Sequence, residues 1–170
     1  MRTRPIADGD WAAIESLESG EYSADGLSED PAALRSRADG SPATCFVLDA
    51  GDRLAGYLLA LPYPAARCPD LSRAELTTYR GTNLHLHDLV VAPGFRGRGR
   101  GAGLVRTLTA AAQALGYRRI SLVAVHGSTP FWAAQGFRAV PGVVVPAHYG
   151  PDAAYLARPT TAGAIGAASM

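Results

Sequence analysis

Apolar residues recur three and four positions apart within residues 11–17 and 104–115, which is the spacing of helices that bury one face. Cap and proline signals predict two shorter helices, so that four are expected in all. Asp8 is expected to cap the first of these helices, and Gly20 to end it. Pro31 suits the first turn of the second helix, and Gly116 suits the end of the third. The predicted helices span residues 8–20, 31–38, 104–115 and 128–135.

Shorter apolar runs without a helical period predict strands between these helices. Residues 62–82 have no sustained period and predict a long loop with one helical turn at Leu71–Leu76. The pattern as a whole predicts a single mixed α/β domain over residues 1–158, and a disordered tail over residues 159–170, which are small and mostly uncharged. The predicted strands are residues 2–6, 43–49, 53–61, 84–91, 120–125, a run that begins at Gly136, and residues 153–157.

Composition narrows the class of protein. The chain has 170 residues, of which 48% are hydrophobic and 18% charged, enough to bury the core of one domain. No apolar run approaches the ~18 residues of a membrane span, and the first residues lack the apolar stretch of a signal peptide, so we expect no membrane partner. Cys45 and Cys68 have neither a CxxC nor a zinc spacing, which predicts reduced thiols and a cytoplasmic location.

Charge is divided unevenly along the chain. Residues 1–88 contain 8 Arg and 14 Asp or Glu, a formal charge of −6, whereas residues 89–151 contain 7 Arg and no acidic residue. This division predicts an anionic ligand for the second half. All 16 basic residues are Arg, as a biased base composition would produce, and the absence of Lys excludes mechanisms that need a Schiff-base or P-loop lysine.

A glycine- and arginine-rich segment lies between the predicted strand 84–91 and the third helix. Gly97, Gly99 and Gly101 carry no Cβ, so successive backbone N–H groups can converge on a phosphate. The N-terminus of the following helix adds unpaired N–H donors and partial positive charge, which suits a pyrophosphate. The arginines that add charge nearby are Arg96, Arg98, Arg100 and Arg106.

Other classes of protein use similar segments. A P-loop is excluded because no Gly-Lys-Ser/Thr follows. A dinucleotide fold has the right glycine spacing but needs an acidic ribose ligand roughly 20 residues later, and after the glycines no acidic residue occurs until Asp152. An Arg-Gly nucleic-acid segment would not explain the strand–loop–helix frame or the lack of interleaved aromatic residues. A surface turn with solvated arginines remains an alternative.

Two motifs resemble those of the GNAT acetyltransferases. The first is Arg96-x-x-Gly99-x-Gly101, following the strand residues Leu89-Val90-Val91, which resembles the acyl-CoA signature of that superfamily. The second is Phe131-Trp132-x-x-x-Gly136-Phe137, which is similar to a Phe-Tyr-x-x-x-Gly-Phe segment of the same superfamily. Together the two motifs span residues 84–137.

The resemblance implies a fold and a cofactor site. The fold would be the GNAT acyl-CoA N-acyltransferase fold, a splayed mixed sheet with helices on both faces. Acetyl-CoA would be the acyl donor, without a metal, and would enter where the strands 84–91 and 120–125 diverge. Its pantetheine arm would pair with the backbone of Leu89 and Val91, and the amides of residues 98–102 would hold its pyrophosphate. The residues expected at the cofactor site are Leu89, Val90, Val91, Arg96, Gly97, Arg98, Gly99, Arg100, Gly101, Ala102, His126, Ser128 and Trp132.

The strand that precedes the glycine-rich segment begins with two histidines. His85-Leu-His87-Asp-Leu resembles the corresponding strand of the arylalkylamine (serotonin-type) N-acetyltransferases, in which two histidines relay the proton of the amine. Residues two apart in a strand face the same side, so His85 and His87 are both candidate bases, with Asp88 expected on the opposite face as a structural acceptor. Core histidines bonded to backbone carbonyls remain an alternative, as does a metal pair, for which the sequence identifies no third ligand.

Trp132 stands where the superfamily usually has a tyrosine that protonates the departing CoA thiolate. An indole N–H donates a hydrogen bond but does not release its proton at neutral pH. Trp132 is therefore expected to fill the core and to form part of the cofactor wall. The general acid stays unassigned between water, Ser128 as a hydrogen-bond donor, and no acid at all.

These residues predict an N-acetyltransferase that joins acetyl-CoA and a primary amine in a ternary complex, with the amide of Leu89 stabilising the oxyanion. Cys45 and Cys68 are expected to take no part. The acidic first half would attract a cationic acceptor, an arylalkylamine or polyamine-like amine, and the tyrosines expected to line its pocket are Tyr22, Tyr63 and Tyr149. A protein amine is an alternative acceptor.

Two other functions remain open. The chain would be a CoA-binding regulatory module if it had lost catalysis, or, less favoured, a nucleic-acid binder through the Arg-Gly segment. We expect no nucleic-acid partner, and the sequence leaves a homodimer open.

Overall fold

Seven strands form one mixed sheet in the computed structural model, which describes residues 1–161. The strands are β1 (Arg2–Pro5), β2 (Phe46–Asp49), β3 (Leu54–Pro62), β4 (Asn83–Val91), β5 (Arg119–Ala124), β6 (Arg138–Ala139) and β7 (Ala154–Pro159). The helices are α1 (Trp11–Tyr22), α2 (Pro31–Asp39), α3 (Arg100–Ala114) and α4 (Thr129–Ala134). No helix in residues 1–161 combines the length and the apolar character needed to cross a membrane.

The sheet has the order β1-β2-β3-β4-β5-β7-β6. Neighbouring strands are antiparallel except for β4 and β5, which are parallel because a crossover containing α3 connects them. This single parallel pair lies in the middle of the sheet and positions the site described below.

Helices cover both faces of the sheet, which confirms the predicted architecture. On one face, α3 packs Leu104, Val105 and Leu108 against β4 and β5. On the other, α1 and α2 pack Trp11 and Leu34 against β2, β3 and β4. The apolar spacing seen in the sequence therefore marks the buried stripe of each helix.

Three local expectations differ from the structure. Helix α1 begins at Trp11 and continues through Gly20, and it is the carboxylate of Asp10 rather than Asp8 that accepts a hydrogen bond at this end, from the Ala7 N–H. Residues 63–82 contain no helical turn at Leu71–Leu76. A short apolar run without a hydrophobic surface to cover has little reason to become helical.

The C-terminal strand extends past the expected boundary at residue 158. Strand β7 ends at Pro159, and the buried Thr160 donates its hydroxyl to the Tyr117 carbonyl and its N–H to the Arg118 carbonyl. These bonds tie the end of β7 to the start of β5. The rest of the predicted tail, residues 162–170, lies outside the described residues.

Candidate active site

A cleft opens where β4 and β5 separate. The two strands pair only over Asn83–His85 and Arg119–Ser121. Beyond that point β5 continues alongside β7 as far as Ala124, while β4 continues alongside β3 as far as Val91. Within the described residues, the edge of β4 from residue 86 to residue 91 therefore has no partner strand on the β5 side, which leaves backbone groups available to a bound chain.

The glycine-rich segment forms one end of this opening, the cradle cleft, with about 1170 Å³ of open space. Gly97 and Gly99 have φ angles of +79° and +72°, a conformation that only glycine adopts readily. The left-handed turn at Gly99 starts α3 at Arg100, so the N-terminus of a 15-residue helix faces the cleft. The lining residues are Glu21, Leu89, Val90, Val91, Phe95, Arg96, Gly97, Gly99, Arg100, Gly101, Ala102, Ser128, Phe131 and Gln135.

The three arginines of the segment occupy different environments. Arg96 donates from Nε to the Val91 carbonyl at 2.8 Å and from Nη2 to Glu21 at 2.7 Å, so it braces the loop against β4 and α1. Arg98 is exposed and does not line the cleft. Arg100 lines the cleft, and its buried Nε has no partner within residues 1–161. A buried cationic donor without an acceptor beside a glycine turn fits a bound pyrophosphate.

A second cavity, the junction chamber, adjoins the cradle cleft. Trp132 is buried in its wall with edge-to-face contacts to Phe131 and Phe137, as expected for a core aromatic residue. Phe131 belongs to both cavities and lies over Gly101, where an added Cβ would approach its ring to 3.2 Å. The lining residues are Glu21, Tyr22, Leu86, His87, Asp88, Leu89, Leu122, Val123, Val125, His126, Ser128, Phe131 and Trp132.

A third cavity, the inner chamber, shares one wall with the junction chamber. Three carboxylates line it, from Glu18, Glu29 and Asp88, together with His87. Its other lining residues are apolar or aromatic: Tyr22, Leu27, Leu71, Val123, Val125 and Tyr149. Of the three tyrosines expected around an acceptor, Tyr22 and Tyr149 line this chamber, whereas Tyr63 is buried elsewhere against Tyr79.

His85 does not reach any of these cavities. Its side chain is 2% exposed, shares a 2.9 Å hydrogen bond with the Ser121 hydroxyl, and lies beside Tyr63 and Tyr155. Burial, reinforced by the charges of His87 and Arg37, lowers the pKa of His85 to about 3. The geometry therefore makes His85 a neutral core histidine rather than a base that meets a substrate.

His87 is in a different position although it lies only two residues further on. Its Nε2 donates to the Glu29 carboxylate at 2.7 Å, and the ring lines both the inner and the junction chamber. Glu29 also accepts two hydrogen bonds from the fully buried Arg37. Burial alone would raise the pKa of Glu29, but His87 and Arg37 together outweigh it and lower that pKa, so the carboxylate stays charged.

A β-bulge explains why Asp88 shares the side of His87, against the alternation expected from the sequence. The β3–β4 register shifts at this point: Leu59 pairs with Asp88, and Ala60 pairs with Leu86, which leaves His87 as the extra residue. Asp88 accepts hydrogen bonds from the hydroxyls of Tyr22 and Tyr57. Burial raises its pKa to about 6, with His87 and the two hydroxyls acting in the opposite direction.

Residues after β5 close the far side of the junction chamber. His126 has a φ of +56°, contacts the Asp25 carboxylate through Nδ1 at 3.2 Å, and stacks on Tyr22. It lies away from the cradle glycines and does not line the cradle cleft. Ser128 lies between the two cavities and lines both.

The two cysteines lie away from the cavities described above. Burial raises the pKa of Cys45 to about 12 and also raises the pKa of Cys68. Both thiols are therefore poor nucleophiles, as expected for residues that take no part.

Several residues of the site were missed by sequence reasoning. Glu29 and Arg37 appeared only as charges in an acidic half, since their partners lie 58 and 38 positions further along the chain. The sequence predicts Tyr22 as a pocket residue, but nothing local signals its bond to Asp88. Such pairings arise from tertiary packing and produce no periodic pattern in the amino-acid sequence.

Comparison with known proteins places these features in a family. The sequence model of the acetyltransferase (GNAT) family matches residues 11–137, a range that contains the glycine-rich segment and the Phe131–Phe137 motif. No curated protein sequence matches the chain significantly.

Solved structures share the fold. Ard1 from Thermoplasma volcanium is 15% identical, with a TM-score of 0.70 over 93% of this chain and 96% of that one. The loading GNATL domain of CurA from Lyngbya majuscula is also 15% identical, with a TM-score of 0.75 over 94% and 97%. An aminoglycoside 6'-N-acetyltransferase complexed with coenzyme A is 17% identical, with a TM-score of 0.69 over 95% and 98%. Because the family match covers well over half of the sequence, the chain belongs to the acetyltransferase (GNAT) family.

Proposed function

We propose that the chain, an acyl-CoA-dependent N-acetyltransferase by its family, acetylates a small cationic primary amine and uses His87 as the general base. The observation that carries the proposal is the His87–Glu29 pair on the wall between the inner and junction chambers. A base must lie within reach of both the acceptor and the thioester of the acyl donor. His87 lines the inner chamber, proposed for the acceptor, and the junction chamber, which adjoins the cradle cleft proposed for the donor.

The hydrogen bond to Glu29 determines which nitrogen of His87 can act. With Nε2–H donated to the carboxylate, the lone pair of a neutral imidazole lies on Nδ1, and no group in residues 1–161 hydrogen-bonds that atom. When Nδ1 takes a proton from an ammonium, the charged Glu29 stabilises the resulting imidazolium. His85 lacks both an acidic partner and access to the cavities.

The inner chamber supports a small acceptor that carries a positive charge. Three carboxylates, from Glu18, Glu29 and Asp88, line a small chamber whose remaining walls are aromatic or aliphatic, apart from His87. Such a site favours an ammonium attached to a short apolar body. This combination supports an arylalkylamine before a polyamine.

The cradle cleft supports acetyl-CoA as the donor. Gly97, Gly99 and the N-terminus of α3 offer N–H groups, and Arg100 offers an unpartnered Nε. When bound, acetyl-CoA supplies a thioester whose carbonyl carbon accepts the amine. Leu89 lines both the cradle cleft and the junction chamber, so its amide is the proposed donor to the carbonyl oxygen.

A thiol-release assay tests the proposal. Acetyl-CoA is offered with phenethylamine, putrescine and a lysine-containing peptide, and the unsubstituted protein is compared with His87→Gln and with His148→Gln, which changes an exposed histidine. His87→Gln should lower kcat by about 100-fold or more, whereas His148→Gln should have no effect. Full turnover by a folded His87→Gln variant would overturn the base assignment. Binding of acetyl-CoA without turnover of any amine would instead favour a regulatory module.

A further inference from the structure

We infer that His126, held by Asp25, donates a proton to the CoA sulfur as it leaves, a role that Trp132 cannot fill. The inference rests on the proposed acetyl transfer and concerns its second half, the departure of the thiol.

His126 has the right position for this role. It follows β5 at the point where that strand has moved away from β4, and it lines the junction chamber together with His87, Leu89 and Trp132. Since Leu89 also lines the cradle cleft, the junction chamber is where a pantetheine arm along β4 would end. A base on β4 and an acid after β5 would thus approach the thioester from two walls of one cavity.

The ring of His126 is held in a defined orientation. Its Nδ1 lies 3.2 Å from the Asp25 carboxylate, and its plane stacks on Tyr22 with centroids 5.8 Å apart and an angle of 27°. With Nδ1 directed at the Asp25 carboxylate, the other ring nitrogen, Nε2, is left to interact with a ligand. Within residues 1–161, Nε2 has no hydrogen-bond partner of its own. The side chain is 32% exposed, so a ligand in the chamber can reach it.

The backbone at this position is unusual. Among residues 1–161, His126 and Ala66 are the non-glycine residues with a positive φ. A left-handed conformation is unfavourable for an L-residue other than glycine, and such strain is often found at functional sites. Gly127, with a φ of +69°, and a hydrogen bond from the Ser128 N–H to the Val125 carbonyl hold the turn that presents the ring.

The other polar side chains of the chamber are poorer proton donors. The hydroxyl of Tyr22 is already donated to Asp88, and burial, together with the charge of Asp88, raises its pKa well above the usual range. Trp132 and Ser128 do not release a proton at neutral pH. Asp88 is occupied by two tyrosine hydroxyls. The Glu21 carboxylate is paired with Arg96, and His87 is the proposed base. His126 is the remaining titratable group of the chamber that can carry a transferable proton.

Acetyl transfer moves protons through both histidines. The amine nitrogen gives one proton to Nδ1 of His87 and forms the bond to the acetyl carbon. The carbon–sulfur bond breaks, its electron pair passes to sulfur, and the Nε2 proton of the His126 imidazolium moves to that sulfur to give the free thiol of CoA. The surplus proton on the amide nitrogen is lost to water, and the two histidines return to their starting states by exchange with water, with one proton released in all.

Comparing turnover of two thioesters with different leaving groups distinguishes a residue that donates a proton from one that only supports the structure. His126→Asn is the suitable variant because asparagine tolerates the left-handed backbone and preserves the turn. Turnover is measured with acetyl-CoA and with the acetyl thioester of 4-nitrothiophenol, whose thiolate leaves without a proton. His126→Asn should lower kcat with acetyl-CoA by about 100-fold and leave turnover of the aryl thioester unchanged. Asp25→Asn should show a smaller loss in the same pattern, and His148→Asn, on an exposed residue, should show none.

A second substitution gives an independent measurement. Adding Trp132→Tyr to His126→Asn restores a phenol where the superfamily usually has one, and kcat with acetyl-CoA should recover at least in part. Equal losses with both donors, or no loss with acetyl-CoA, would overturn the inference while leaving the base proposal intact. An unsubstituted enzyme that is inactive with both donors would overturn the proposed function itself, and the inference with it.

Discussion

Two histidines of the same strand differ in chemistry because one residue is bulged. His85 lies in a regular part of β4 and faces Ser121 and the aromatic core, whereas His87 is the extra residue of the β3–β4 bulge and meets Glu29. The bulge also brings Asp88 to the side of His87, where alternation would have placed it on the other face. The two side chains are chemically identical, so it is their hydrogen-bond partners and their access to the chambers that make His85 a core residue and His87 a candidate base.

The buried state of His85 has a measurable consequence for stability. Burial lowers its folded pKa to about 3, below the 6.5 of an ordinary histidine, so between these pH values the unfolded chain binds a proton that the folded chain does not. The stability that the folded protein gains by keeping His85 neutral is fully present above pH 6.5. It is lost as the pH falls toward about 3. We expect the free energy of unfolding to fall by about 1.4 kcal/mol per pH unit in this window from His85 alone.

Urea titrations of the unsubstituted protein and of His85→Asn at several pH values isolate that contribution. The difference between the two free energies of unfolding should shrink as the pH is lowered, because Asn carries no titrating proton. Asp88, whose raised pKa acts in the opposite direction, is present in both proteins and cancels. Parallel pH profiles would show that His85 titrates alike in the folded and unfolded states.

At the scale of elements, the long loop over residues 63–82 is held by one side chain. Arg37 of α2 is fully buried, donates to the backbone carbonyls of Asp70 and Arg73, and pairs with Glu75 as well as Glu29. The loop therefore connects to His87 through two ion pairs, and its Leu71 forms part of the inner chamber. An ordered loop without helix or strand is stable here because a buried guanidinium satisfies its carbonyls.

Arg37→Lys should release this loop without removing the positive charge. A lysine ammonium has three donors on a flexible stem and does not span four acceptors as the guanidinium fork does. We expect several-fold faster tryptic cleavage after Arg73, followed by mass spectrometry, with little change at sites outside residues 63–82. Arg35→Lys, on the same helix but packed over Trp11, is the matched control and should leave the cleavage rate unchanged. Equal rates in all three proteins would mean that the loop is held by other contacts.

The elements themselves were largely predictable, and the contacts between them were not. Helix α3 and strands β3, β4 and β5 follow from apolar spacing because each buries a regular stripe or a continuous run. The glycine turn before α3 was predictable because a positive φ at Gly99 needs that residue type. The β-bulge at His87 and the pairing of Glu29 with His87 depend on segments that meet only after folding. No local sequence pattern therefore predicts either feature.

In the whole molecule, acidic residues from the first half of the chain and basic residues from the second half lie around different cavities. Carboxylates from the first half, Glu18, Glu29 and Asp88, line the inner chamber, while Arg100 from the second half lines the cradle cleft. The two regions meet at the ion pair between Glu21 and Arg96, 2.7 Å apart at the mouth of the cleft. Under the proposed function, a cationic acceptor would be attracted to the inner chamber and the anionic donor to the cradle cleft.

This arrangement predicts how salt acts on donor binding. Added salt screens exposed charges, so the Kd for acetyl-CoA measured by calorimetry should rise with NaCl concentration. Arg100→Gln should weaken binding by about 10-fold at low salt through loss of a charge-assisted hydrogen bond, and its salt dependence should be shallower. Arg138→Gln, on the exposed strand β6 away from the cleft, should keep both the affinity and the slope. An unchanged slope in Arg100→Gln would mean that the phosphates are held by backbone N–H groups without this arginine. The glycine turn rather than the charge of the second half would then account for donor binding.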